Sequence, residues 1–180
     1  MTAKIIYECS DVTKKFPEYV QAQCISEDCV MGSGVVIAYR NMFPGLKEYC
    51  TNYIKNVTIW LRQNPQCWYM HKTRNGTFRP YRHVDQDMVV YNMFTKQKVW
   101  MHAGRGMSEE RYLENLEQSL EVVRDSMLFF YEKKLAISKI GCGRDRCNWE
   151  DVETILRRVF GATDIEICVC EYDENRSSDL

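Results

Sequence analysis

Residues 21–40 read QAQCISEDCVMGSGVVIAYR, and residues 136–152 read AISKIGCGRDRCNWEDV. Both stretches follow one plan: an apolar strand, a glycine-bearing loop, then the start of a helix. That plan suits an anion, because glycines let backbone N–H groups converge and the helix dipole adds positive potential. Neither loop spells the GxGxxG fingerprint or the GxxxxGK[ST] P-loop, which argues against a dinucleotide dehydrogenase or a kinase-type NTPase. Two such cradles in one chain would suit a diphosphate. Either loop alone is accounted for by an ordinary tight turn.

Outward from these two segments, short apolar runs alternate with helical patterns, the signature of α/β layering. Ile5–Glu8 reads as a first strand, ending near Asp11, and Tyr19–Ile25 as a second. A short helix is expected over Val35–Met42, stopped by Pro44-Gly45, and another over Leu46–Ile54. Val57–Leu61, Cys67–Lys72 and Met88–Phe94 read as strands, being rich in aromatic and β-branched residues. The clearest helix is Glu109–Lys133, with Ser108 as N-cap and Glu109 and Glu110 at the positive end of the dipole. Leu113, Leu116, Leu120, Val123, Met127 and Phe130 form its apolar face, and Lys133 and Lys134 close it. Leu135–Ile140 reads as a strand. Asn148 caps a helix carrying Val152, Ile155, Leu156 and Val159, with Gly161 at C′. Ile165–Cys170 is the last strand, and the polar residues 173–180 are expected to fray. No internal repeat or linker is visible.

With 180 residues and 45% hydrophobic content, the chain fits one domain with a substantial core. The formal charge of −1 excludes a strong global attraction to nucleic acid or anionic membrane. No apolar run approaches the roughly 20 residues needed to cross a bilayer. The opening MTAKIIYECSDVTKK has neither the basic start nor the apolar stretch of an export signal. A cytoplasmic or nuclear location is therefore expected. The nine cysteines are odd in number, which argues against a disulfide framework. The nearest pairs, Cys24/Cys29, Cys142/Cys147 and Cys168/Cys170, lack the C-x-x-C spacing of a zinc knuckle. His71, His83 and His102 show no metal-ligand spacing either. Neither metal nor cofactor is expected, and the thiols read as reduced and mostly buried. The sequons at Asn56, Asn75 and Asn175 only mark polar stretches.

CISEDCVMGSGVVIAYRNMFPG (24–45) resembles the first signature of macro domains of the terminal ADP-ribose protein glycohydrolase branch, and IGCGRDRCNWEDVETILRRVF (140–160) resembles the second. Between them, VVYNMFTKQ (89–97) is similar to the family's strand and Thr-Lys segment, and LENLEQSL (113–120) to its following helix. The resemblance runs from Ile5 to Val169. It implies a macro-domain α/β fold over residues 1–172, with a mixed central sheet sandwiched between helices, and ADP-ribose as ligand. It also implies roles. Asp11, beside Val12, would hold the adenine amino group. The first loop would border the distal ribose through Ser26, Gly32 and Gly34, among Cys24, Ile25, Met31 and Ser33. The second would wrap the diphosphate with the backbone amides of Gly141, Cys142 and Gly143, between Ile140 and Arg144. Lys96 and Asp145 fall on the catalytic positions.

The chemistry of that pair agrees with its implied role. An unprotonated lysine can attack ribose C1″ and form a Schiff-base type intermediate. Asp145 would shuttle protons at the same carbon. Together they would release ADP-ribose from modified acidic side chains, with ADP-ribosylated proteins as partners and a monomer as the working form. Without the resemblance, Lys96 reads as a solvated strand-end lysine, Asp145 as a loop charge and Asp11 as a turn residue. Two other readings stand beside hydrolysis of acidic-side-chain esters. One is a non-catalytic ADP-ribose reader. The other is a hydrolase of ADP-ribose 1″-phosphate, O-acetyl-ADP-ribose or ADP-ribosylated nucleic acid.

Two stretches exceed the family pattern. QKVWMHAGRGM (97–107) is longer than the usual link between lysine and helix, so it could shift Lys96 or form a lid with Trp100 and His102; Lys98 is a second candidate nucleophile. Residues 64–87 are also extended, and HKTRNGTFRPYRH (71–83) interleaves Lys72, Arg74, Arg79 and Arg82 with Phe78 and Tyr81. Such interleaving can grip single-stranded nucleic acid. A solvated hairpin with Asn75-Gly76 at its tip is the favoured account. Trp60, Trp68 and Trp149 read as core or helix packing. Near adenine, where the family carries an aromatic, this chain has Cys170, with Tyr172 two residues on.

Overall fold

A computed structural model describes residues 3–172. In chain order it contains β1 (Lys4–Glu8), β2 (Val20–Ser26), α1 (Val35–Met42), α2 (Leu46–Gln63), β3 (Tyr81–Asp85) and β4 (Met88–Lys96). The short β5 (His102–Ala103) and β6 (Gly106–Met107) precede α3 (Glu109–Phe129), β7 (Lys134–Ile137), α4 (Trp149–Phe160) and β8 (Glu166–Cys170). Six strands form one mixed sheet in the order β1-β8-β7-β2-β4-β3. Its pairings are parallel except for the antiparallel β3–β4 edge.

Helices cover both faces of the sheet, and period-2 alternation divides the core between them. In β4, Val89, Tyr91 and Met93 pack on one side with Leu116 and Leu120 of α3 and Leu156 of α4. Val90 and Phe94 point to the other, beside Tyr39 of α1 and Leu46 of α2. The last strand alternates likewise, Ile167 and Val169 facing α3 and α4, Cys168 and Cys170 facing α1 and α2. With both faces covered, the buried positions of β7 and β8 are apolar, as a buried parallel sheet favours, while β2 and β4 also bury Gln21, Gln23 and Asn92, the Gln23 amide donating to Asn92 at 2.8 Å. Caps set where the helices begin: Ser108 accepts from the Arg111 N–H at 3.0 Å, and Asn148 from the Glu150 N–H at 3.0 Å.

Several expectations are corrected. Val57–Leu61 is not a strand but the second half of α2. No breaker follows Ile54, and Leu46, Cys50 and Val57 fall on one buried helical stripe while Ile59 and Trp60 face outward. Cys67–Lys72 is not a strand either; 65–70 winds into 3₁₀ turns begun by Pro65. A strand absent from the sequence reading, β3, lies at 81–85. The Asn75-Gly76 turn exists, with Gly76 at φ +83° and Thr73 N–H donating to Thr77 O at 2.8 Å. It is docked rather than solvated: the Asn75 N–H donates to Gln118 of α3 at 2.8 Å, and its side-chain amide to Asn115 at 3.0 Å.

The long helix α3 stops at Phe129, short of Lys133, because Tyr131 turns left-handed at φ +58° and the Glu132 N–H bonds back to Met127 O at 2.8 Å. Lys134 consequently begins β7 instead of closing the helix. That strand ends at Ile137 rather than Ile140, where the Ile140 N–H bonds to Ser138 O at 2.7 Å. Gly161 is right-handed (φ −62°) and not a left-handed C′ residue; a Cβ there would meet Arg157 O at 2.5 Å. Trp60 and Trp68 are exposed rather than core. The expected fraying of 173–180 concerns a segment outside the described residues.

Candidate active site

The parallel strands β1, β2, β4, β7 and β8 all deliver their C-terminal ends to one rim of the sheet, where ligand crevices of open α/β sheets form. The two glycine loops lie on this rim, one after β2 and one after β7. Strain marks them: Cys29, Met31 and Arg146 adopt left-handed φ of 51°, 51° and 62°, which non-glycine residues sustain only when their surroundings hold them there. Gly34 (φ +70°) is the N-cap of α1 and makes no side-chain capping bond. The first turn of that helix therefore faces the cleft through Val35 and Val36 with its dipole uncovered. Gly141 (φ +75°) opens the second loop, and a Cβ there would crowd Tyr112 at 3.3 Å.

Three adjoining cavities follow the rim. The central one, about 250 Å³, is lined from the first loop by Cys24, Ile25, Ser26, Met31, Gly32, Ser33 and Gly34. From the second loop come Ile140, Gly141, Gly143, Arg144 and Asp145, and from β4 Lys96. Beyond Gly34 and Val35 it joins a cavity of about 640 Å³ that holds Asp11, Val12, Cys170 and Tyr172. The third, about 280 Å³, opens past Lys96 among Trp100, Arg105, Arg144 and Arg146. Cys142 lines none of these; its N–H points to Lys139 O at 3.3 Å, and its side chain packs against the core. Asp11 serves as a turn residue as well as a cavity wall, accepting from the Thr13 N–H at 3.0 Å and the Thr13 hydroxyl at 2.7 Å, both on Oδ1.

Lys96, at the end of β4, reaches across to the second loop. Its Nζ donates to Asp145 at 2.6 Å, to Met101 O at 2.8 Å and to Val99 O at 3.0 Å. Three acceptors match the three protons of an ammonium. The 97–107 stretch thus does not shift Lys96 but holds it, and a bond from the Ala103 N–H to Asp145 O (3.0 Å) ties the same stretch to the second loop. Lys98 is exposed and lines none of the three cavities. Asp28 anchors the stretch from the other side, bonded by Ser26 and by the Val99 N–H at 2.9 Å. Burial opposes its charge, yet these hydrogen bonds hold its carboxyl below the usual range. Burial pushes the Cys24 thiol up to about 12 and Cys147 likewise to about 12, so neither supplies a thiolate at neutral pH.

Several residues at the cleft are missing from the sequence reading. Ser138 and Lys139 line the wall between the central cavity and the one that holds Asp11, Lys139 paired with Glu171 at 2.7 Å. Their position just after β7 is a readable signal, since strand C-termini point to such crevices. Tyr112, fully buried in α3, donates to Asp145 Oδ2 at 2.5 Å and accepts from Thr95 at 3.1 Å. No spacing rule marks it. In 71–83, the basic residues meet protein partners: Lys72 lies 3.5 Å over the Phe78 ring, Arg74 and Arg82 pair with Glu121 and Glu132, and Arg79 donates to Tyr69 O.

No protein-family model matches the chain. It is 30% identical to the human ADP-ribose glycohydrolase OARD1 over 148 residues, 82% of this chain and 78% of that protein. Among solved structures, the macrodomain of Thermus aquaticus DarG superposes with a TM-score of 0.68 at 16% identity, covering 94% of this chain and 99% of that one. Thermosipho africanus DarTG, solved in complex with ADP-ribose, gives 0.67 at 15% identity over 97% of this chain and 44% of that one. The fold likeness and the identity to a full-length relative agree with the two loop signatures: the chain belongs to the macro domain family, on the branch of the ADP-ribose glycohydrolase OARD1.

Proposed function

We propose that this macro domain is a hydrolase that binds ADP-ribose along the rim and removes it from esterified acidic side chains, with Lys96 as nucleophile and Asp145 as proton shuttle. The observation that carries this reading is the 2.6 Å pairing of Lys96 with Asp145 in the wall of the central cavity, where Lys96 also borders the cavity beyond it. Adenine would lie against Asp11 and Tyr172, the diphosphate between the first turn of α1 and the second loop, and the distal ribose against Lys96. ADP-ribose as ligand is further supported by the Thermosipho africanus relative of the fold, solved with it.

In the ligand-free state Lys96 Nζ is bonded to Asp145 and to the Val99 and Met101 carbonyls. Turnover requires that it pass a proton to Asp145 and leave at least one of the two loop carbonyls. The freed amine adds to ribose C1″, and the acidic side chain departs with its ester oxygen, protonated from Asp145 as needed. The resulting C1″–Nζ glycosylamine opens its ring C1″–O4″ bond to give the imine; water adds at C1″, the C1″–Nζ bond breaks to restore the amine, and the freed aldehyde recloses on O4″ as ADP-ribose. The net change is ester plus water to carboxylic acid plus ADP-ribose.

A peptide carrying one ADP-ribose ester on glutamate provides the test. The wild type should release ADP-ribose; Lys96→Ala and Lys96→Arg should release none yet bind ADP-ribose, since a guanidinium stays protonated. Asp145→Ala should lose about 10²–10⁴-fold. Borohydride added during turnover should trap an adduct on the wild type only. Retained activity in Lys96→Ala would mean that water attacks directly. A wild type that binds ADP-ribose but turns over no ester would be a reader.

A further inference from the structure

Resting on that reading, we propose that the cavity beyond Lys96 is the acceptor subsite and that it selects substrates whose modified side chain is flanked by carboxylates, as in an acidic polypeptide segment. Arg105, Arg144 and Arg146 converge on this space of about 280 Å³ together with Trp100, and no carboxylate lines it. Elsewhere Arg74, Arg82, Arg111, Arg124, Arg157 and Arg158 pair with acidic side chains, and Arg40 and Arg79 donate to backbone carbonyls. Among the described residues, none of the three cavity arginines has an ion-pair partner. Arg105 instead stands 5.8 Å from the centre of the Trp100 ring, itself 53% exposed. Arg146 is held left-handed, so its guanidinium is presented by a strained backbone rather than by a relaxed loop.

Position decides which part of the substrate meets these groups. Nucleotide would occupy the rim from Asp11 to Lys96, so whatever is attached at C1″ leaves past Lys96; of the two cavities that border Lys96 there, the one of about 480 Å³ carries Glu27 and an arginine already paired with Glu114, whereas this one carries three arginines without an acidic partner. Free guanidinium groups bind carboxylates or phosphates through paired hydrogen bonds. The charge layout favours carboxylates on a short segment over a nucleic-acid strand. A phosphate backbone needs a basic track many residues long, whereas here the field is confined to one pocket. The basic residues of 71–83, which could extend it, are engaged with Phe78, Glu121, Tyr69 and Glu132.

Two peptides, each with one ADP-ribose ester on glutamate, differ only in flanking Asp/Glu against Asn/Gln. In low salt, kcat/KM should favour the acidic peptide by about tenfold, as complementary charge raises capture. The ratio should fall towards unity in the Arg105→Gln/Arg146→Gln variant and at high salt. A ratio near one in the wild type, or one that persists in the variant, overturns the proposal. If neither peptide turns over, the polarisation of a fluorescein-labelled acidic peptide on ADP-ribose-saturated protein decides it. Binding lost in the double variant supports the subsite, and no binding overturns it. An unmodified oligonucleotide that competes better than an acidic peptide of equal charge would overturn it in favour of nucleic acid. Calorimetry with ADP-ribose alone reports separately on the nucleotide site, so failure of the hydrolase reading and failure of the subsite give different results.

Discussion

Tyr112 joins the core to the Lys96–Asp145 pair. Burial pushes its phenol well above the ordinary tyrosine range, so it remains a hydrogen donor at neutral pH. It donates to the Asp145 oxygen that Lys96 does not use, leaving both carboxylate oxygens occupied and the pair fixed in register. Tyr112→Phe should therefore lower kcat by about tenfold while KM changes little, the pattern of a group that matters beyond ground-state binding. A purely structural role would lower stability by about 1 kcal/mol, the share of one hydrogen bond, with kcat unmoved. Lys96 and Asp145 were legible because a motif places them. Tyr112 was not, because its neighbours Leu113 and Leu116 signal only an apolar helix face and a hydroxyl's partner is decided in three dimensions.

At the scale of elements, legibility followed the strength of local signals. Helix α1 was bounded by glycine before and proline after, and its residues were read without error. Helix α2 was cut in half, since Val57, Thr58 and Ile59 suggest a strand whereas the buried stripe of Leu46, Cys50 and Val57 keeps the helix going. Strand β3 escaped notice because it is a mostly polar edge strand, and the two-residue turn that pairs it locally with β4, Gln86-Asp87, lacks the glycine that signals a tight hairpin even though Gln86 is left-handed at φ 55°. The α2 reading has a direct test. Asn56 is exposed in mid-helix, so Asn56→Ala should raise stability by about 0.5 kcal/mol, the propensity difference in a helix. Urea denaturation measures it, and a loss of stability would mean that the segment does not behave as helix.

For the molecule as a whole, the parallel sheet gathers the binding groups from five strand ends, so ligand binding should report on the entire fold. At a hundred times its Kd, ADP-ribose should add about 2.7 kcal/mol and raise Tm by about 5–10 °C, readable by scanning fluorimetry. Asp11→Ala should reduce the shift at equal ligand concentration; an unchanged shift would remove Asp11 from the nucleotide site. The gathering was foreseeable from two strand–loop–helix repeats, but the way 97–107 folds back to hold Lys96 was not, because its anchors, Asp28 and Asp145, are distant in sequence. The same polarity leaves the opposite rim idle. Helix α3 starts beside the cleft and runs away from it to the turn at 130–133, where Tyr131 is 88% exposed. A biotin-acceptor peptide spliced into that turn would mount the protein on a sensor chip with its cleft facing the flow, giving every immobilised molecule the same orientation towards analyte.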